Sequence, residues 1–253
     1  VISVYTVYYL VVGKIKSLMS VFTNGMEGAF GDMWAKKEYD SFNRNFDTYE
    51  YALYTFAAVI FTCVGILFVP FLARYTAGVT DINYLRPTLA ILITVTEAMY
   101  CVRHPYLTIV QATGNYEATK MGALMEAVVN IAVSIVLIQF IGINGVIIGT
   151  LVANLIRTTQ FAIFSSKNIL HRDFKRVIFR FIWLVCDSTV IVAISSAVTS
   201  VFTFNTGWSG WIIEACIVFA ISCVVTVIFS LVFYKQDFLR LTNKLLVMAH
   251  LKR

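Results

Sequence analysis

Apolar residues in this chain fall in long blocks separated by short polar stretches. Seven blocks can be read, at residues 1–23, 51–72, 88–112, 121–141, 143–164, 178–203 and 211–233. Each reaches the ~20 residues that cross a ~30 Å hydrocarbon core at ~1.5 Å per residue. The runs are continuous rather than alternating, which predicts helices and not barrel strands. Gly142 alone separates the fourth block from the fifth, predicting a tight helical hairpin. Pro87 suits a first helical turn, where a missing N–H costs nothing. Pro105 lies inside the third block and predicts a kink. In residues 235–253, Phe238, Leu241, Leu245 and Met248 recur at helical spacing among basic residues. That pattern predicts an amphipathic helix on the inner leaflet. The expected architecture is an all-α integral membrane bundle of seven transmembrane helices, residues 1–234, followed by this cytoplasmic tail.

Composition agrees with a bilayer as solvent. The chain has 253 residues, 59% hydrophobic and only 13% charged, with a mean hydropathy of +0.79. A soluble domain carries about 25% charged residues, and a disordered one is poor in apolar residues. Five cysteines, Cys63, Cys101, Cys186, Cys216 and Cys223, lie in apolar blocks without metal-ligand spacing. They read as small buried hydrophobes, not as a disulfide framework or a zinc site. The chain opens at Val1, inside an apolar block and without Met or a signal peptide, as expected of a piece of a longer protein.

The net charge is +6, which in a soluble protein would suggest nucleic acid. The positions of the charges exclude that. With Val1 outside and seven crossings, fourteen of the twenty Lys and Arg residues fall in inside loops and tail, and only Arg74 and Arg86 fall outside. This asymmetry predicts a multi-pass protein of the plasma membrane with its carboxy-terminus in the cytoplasm. Lys14, Lys16, Arg103 and Arg157 remain within the blocks.

Ionisable groups at membrane depth are costly and point to function, though each also has a structural reading. Lys14 and Lys16 lie about 200° apart on a helix, so one straight helix cannot aim both into one cavity; the alternative is snorkelling to the inner interface. Arg103 either lines a cavity or pairs with Glu97 or Glu126. Glu126 and Asn130 share one helix face, as do Asn154 and Arg157 on the next helix. Counted from Gly142, Glu126 and Arg157 reach similar depth, so they form a natural pair across the hairpin; a substrate or ion role is the alternative. Asp187 reads as an interhelical polar contact or as a site for a coupling ion or proton. Arg180 and Glu214 read as interfacial. No nucleotide loop, metal motif or nucleophile elbow is present, and no cofactor or catalytic residue is expected.

The stretch Gln111-Ala112-Thr113-Gly114-Asn115-Tyr116, then Glu126-Ala127-Val128-Val129-Asn130-Ile131, then Gly142-Ile143-Asn144-Gly145-Val146-Ile147-Ile148-Gly149-Thr150 resembles polysaccharide flippases of the multidrug/oligosaccharidyl-lipid/polysaccharide exporter superfamily. The opening helix from Val4-Tyr5 to Gly31-Asp32 and the later Pro70-Phe71 resemble the second half of that family. A departure is Glu27-Gly28-Ala29-Phe30-Gly31, where such proteins often carry Pro, Ile or Leu, and Ser. The resemblance implies a two-lobe transporter of fourteen helices, with this chain as helices eight to fourteen and an amino-terminal lobe as partner.

It also implies a substrate, a lipid-linked oligosaccharide on a polyprenyl diphosphate, flipped by alternating access for surface polysaccharide synthesis. A diphosphate cannot enter hydrocarbon bare. Lys14, Lys16, Arg103 and Arg157 are then the candidate cavity cations, with arginine able to grip phosphate in bidentate fashion. Glu97, Glu126, Asn130 and Asp187 are candidates for ion coupling or structural pairing. A cation-coupled multidrug exporter of the same superfamily and a non-transporting membrane subunit are the alternatives.

Overall fold

The computed structural model describes residues 2–79, 82–201 and 207–250. Among these residues the regular structure is helical, with no strand. In chain order the helices are α1 (Ile2–Thr23), α2 (Met26–Ala35), α3 (Tyr39–Tyr75), α4 (Pro87–Ala112), α5 (Tyr116–Ile141), α6 (Ile143–Phe164), α7 (Lys175–Val201), α8 (Trp208–Phe233) and α9 (Lys235–His250). A wider π-helical turn, Ser165–Ile169, extends α6. Five helices, α3 and α5 to α8, are long and apolar enough to cross a membrane, with the π turn counted as part of α6.

Among the described residues that count differs from the seven blocks read from the sequence, because α1 and α4 fall short of it. α1 and α4 are as long as the others, but they carry Lys14 and Lys16, and Glu97, Arg103 and His104, which dilute their apolar stretches. The second block is the inner part of a helix that begins at Tyr39. Its early turns are polar on one side only. Phe42, Phe46 and Tyr49 recur at helical spacing and pack around Phe30 of α2, with ring centroids 5.2–6.2 Å apart. α4 continues through Pro105 as one helix.

The main core joins α2, α3, α4, α6 and α7 through residues such as Phe46, Tyr54, Tyr106, Phe161 and Trp183. A second core ties α1 to α3 and α4 through Val4, Tyr8, Phe68 and Ile93. The Tyr8 hydroxyl donates to the Tyr84 carbonyl (2.9 Å) and accepts from the Arg86 N–H (3.0 Å), pinning α1 to the entry of α4. α5 lies outermost. Only Thr119 and Gly122 of it are buried, and it packs chiefly on α6.

The α5–α6 hairpin is backbone-tight. Gly142 turns the chain at φ +59°. A Cβ on Gly145 would lie 2.5 Å from the Leu137 carbonyl carbon, and one on Gly149 would lie 2.9 Å from the Ser134 nitrogen. Two glycines four residues apart let the two backbones meet, as in small-residue membrane interfaces.

Two expectations are corrected on burial. Cys186 and Cys216 lie on the exposed outside of the bundle, while Cys63 and Cys101 are buried. Arg180 is not interfacial but 2% exposed. The packing of α9 and the Arg172 loop over the early turns of α3 encloses it.

Candidate functional site

Polar chemistry inside the bundle gathers where α1, α4, α5 and α6 meet. Lys16 of α1 reaches Glu97 of α4, Nζ to Oε2 2.9 Å. Six residues further along α4, Arg103 Nη1 donates to Glu126 Oε1 of α5 at 2.7 Å. Arg157 of α6 approaches the other oxygen of that carboxylate, Nε to Oε2 3.6 Å. Glu126 is therefore shared: Arg103 takes the close contact and Arg157 the longer one. Arg157 spends its Nη1 on the Thr119 carbonyl (2.6 Å) and Gln160 Oε1 (2.7 Å), and its guanidinium lies over the Phe161 ring at 4.0 Å. Gly122 of α5 makes room for this, since a Cβ there would collide with Gln160 and Arg157.

Tyr100, a residue the sequence reading passes over, organises the cations. Lys16 Nζ and the Arg103 guanidinium lie 5.0 and 4.8 Å from its ring centroid. Such contacts strengthen as water is excluded. The signal was present in the sequence: Glu97, Tyr100 and His104 follow i, i+3, i+7 spacing with Arg103 beside them. Three cations, Lys16, Arg103 and Arg157, face two carboxylates, Glu97 and Glu126, so the cluster carries one positive charge in excess. The Lys16 side chain is 43% exposed, while the Arg103 side chain is 11% exposed with a buried Nε that has no partner among the described residues.

The other candidates sit apart from this centre to different degrees. Asn154 donates to the Thr96 carbonyl and accepts from Arg103, both at 3.5 Å. Asn130 Oδ1 accepts from Ser134 (3.1 Å) and Thr150 (3.4 Å) and holds the hairpin instead. Lys14 points away from Lys16, into a groove of about 370 Å³ lined by Val64, Phe68 and Trp211 among others. Asp187 is fully buried between α7 and α8 and meets none of the cavity cations.

A second ionic centre escaped the sequence reading. Glu50 of α3, fully buried, accepts from Arg172 Nη2 at 2.6 Å and from the Tyr106 hydroxyl, and pairs with Arg180 Nε at 3.0 Å. Arg180 also binds Asp237 of α9 at 2.8 Å. Asp47 closes the network on Arg172 (2.8 Å) and Arg176 (3.0 Å). Burial opposes the Arg172 charge, but Glu50 and Asp47 outweigh it and hold its pKa above the ordinary guanidinium value. The network staples α3, α7, α9 and the loop before α7 at one end of the bundle. Among the described residues no group of His, Cys, Asp and Glu could hold a metal ion.

The backbone arrangement has a solved counterpart. It aligns with a structure described as "Lipid II flippase MurJ, inward closed conformation", with a TM-score of 0.65 over 90% of this chain. The two chains share a fold over that span. Identity to that protein is 18%, and the chain spans about half its length, 47%. The sequence matches no protein-family profile and no curated protein. The likeness is thus one of fold and not of sequence.

Proposed function

We propose that this chain forms one lobe of a transporter that flips a polyprenyl-diphosphate-linked oligosaccharide across the cytoplasmic membrane, for surface polysaccharide synthesis. An amino-terminal lobe completes the transporter, and rocking of the two lobes gives alternating access. The observation that carries this reading is the cationic excess of the Lys16, Arg103 and Arg157 cluster. Lys16 and Arg103 flank one ring, and with Arg157 they make three cations against two carboxylates, Glu97 and Glu126. A diphosphate entering this space exchanges its water for the Lys16 ammonium and the free Arg103 Nε–H. Glu97 and Glu126 keep both cations positioned while the site is empty. The fold shared with a lipid flippase supports the same reading.

The test is deletion of the gene in its host, with surface polymer and the leaflet distribution of lipid-linked precursor measured. Loss of polymer with precursor retained in the inner leaflet is expected. Restoration by the wild-type gene but not by Arg103→Gln, at equal expression, ties the effect to the cluster. Normal polymer together with altered resistance to cationic drugs overturns the proposal and favours the exporter reading.

A further inference from the structure

α7 buries a row formed by Arg180, Leu184, Asp187, Ile191 and Ser195. Against it α8 sets Val218, Ser222, Thr226 and Ser230, spaced four apart on one face of a strongly apolar helix. Asp187 is 0% exposed in this contact. Its Oδ2 accepts the Thr226 hydroxyl at 2.8 Å. Its Oδ1 is buried and has no hydrogen-bond partner among the described residues.

Among the described residues no ion pair balances this carboxyl. Arg180, about two turns away on α7, is engaged by Glu50 and Asp237. The groups able to titrate on the central turns of the packed helices are thiols and phenols. Cys63 of α3 contacts Ser222 at 3.3 Å. Cys223 of α8 is half-buried, and Cys186 of α7 is exposed. Tyr51 of α3 lies at the Trp183 level, and Tyr54 of α3 bonds to Tyr106. Glu214, on α8, is about three turns from Thr226. A carboxylate desolvated without a counter-charge becomes neutral rather than bear the cost of ionisation. A hard metal ion takes about six oxygen ligands, and among the described residues Thr226 is the one side chain bonded to Asp187.

We propose that Asp187 is a proton-binding site within the α7–α8 contact, with the proton on Oδ1 while Oδ2 accepts the Thr226 hydroxyl. Release of the proton places a bare charge between two membrane helices. That charge is relieved by water entry or by separation of α8 from α7, so proton occupancy and the α7–α8 contact are coupled. The site is distinct from the Lys16–Arg103 cluster and stands whether or not the protein flips a lipid.

The test reads stability, not transport. Tm of the purified full-length protein is followed from about pH 5 to about pH 9 in sodium and in choline buffers. A native state that holds the acid neutral loses stability as pH rises, because the unfolded chain ionises freely. Wild-type Tm is expected to fall with pH equally in both buffers, and Asp187→Asn is expected to remove that component of the fall. Thr226→Val deprives the carboxylate of its donor, so the upper end of the fall should extend by about one pH unit. Parallel profiles for wild type and Asp187→Asn overturn the proposal, as does a fall that sodium abolishes. If Asp187→Asn does not fold, the Thr226→Val profile decides, and an unmoved upper end overturns it.

Discussion

Arg103 on α4 and Glu126 on α5 meet at 2.7 Å, and the same carboxylate lies 3.6 Å from Arg157 on α6. One acidic side chain thus joins three helices and holds two arginines in register. Removing the carboxylate leaves two guanidinium groups facing each other at low exposure. Glu126→Ala is therefore expected to cost about 2 kcal/mol or more, read as a lower Tm in detergent. Arg103→Gln leaves Glu126 with Arg157, so it should lower transport more than stability.

Tyr100 is expected to act through its ring. Tyr100→Phe keeps the face that Lys16 and Arg103 lie against, and transport should stay close to wild type. Tyr100→Leu removes about 0.5–2 kcal/mol of cation–π attraction. It should raise the substrate concentration needed for half-maximal flipping in proteoliposomes.

The Glu50–Arg180 pair is the most deeply enclosed of the ion pairs described. Its side chains are 0% and 2% exposed. Breaking it from one side strands the other charge, so Glu50→Ala is expected to cost about 3–5 kcal/mol. Asp237→Asn, at the more open edge, should cost less. Thermal unfolding of the two variants checks the order.

Gly145 and Gly149 set the spacing of the α5–α6 hairpin. Valine at either position drives side-chain atoms into the α5 backbone, with an expected cost above about 3 kcal/mol. Protease sensitivity near Gly142 and reduced expression are the readouts. Alanine at Gly28, where a Cβ meets nothing within 4 Å, is the control.

Topology can be read from chemical access. With α1 and α4 crossing as well, the seven-span reading expects Lys36 and Lys244 inside and Arg74 outside. In a variant with the five native cysteines replaced, Lys36→Cys should react with an impermeant thiol reagent only after the membrane is opened. Arg74→Cys should react in intact cells. The reverse result would invert the orientation.

How much of this was written in the sequence differs from element to element. The blocks at 121–141 and 143–164, the one-residue turn at Gly142 and the all-helical membrane character are local properties. They follow from hydropathy, length and one glycine, and need no neighbour. The depth match of Glu126 and Arg157 was also legible, because an antiparallel hairpin fixes depth by counting residues. Arg103 as the closer partner of Glu126 was not, since it depends on how α4 packs against the hairpin.

Tyr100 and Glu50 mark the limit more sharply. Each lies in a chain segment with ordinary local features, and each gains its role from cations on other helices. Arg180 was misplaced for the same reason. Residue counting puts it near the end of a span, but α9 and the Arg172 loop cover that end and remove it from water. Sequence alone determined which segments leave water, because transfer to an apolar phase is a sum over local residues. Only the tertiary structure decided which charges meet, because an ion pair depends on distances of a few ångströms between helices far apart in the chain.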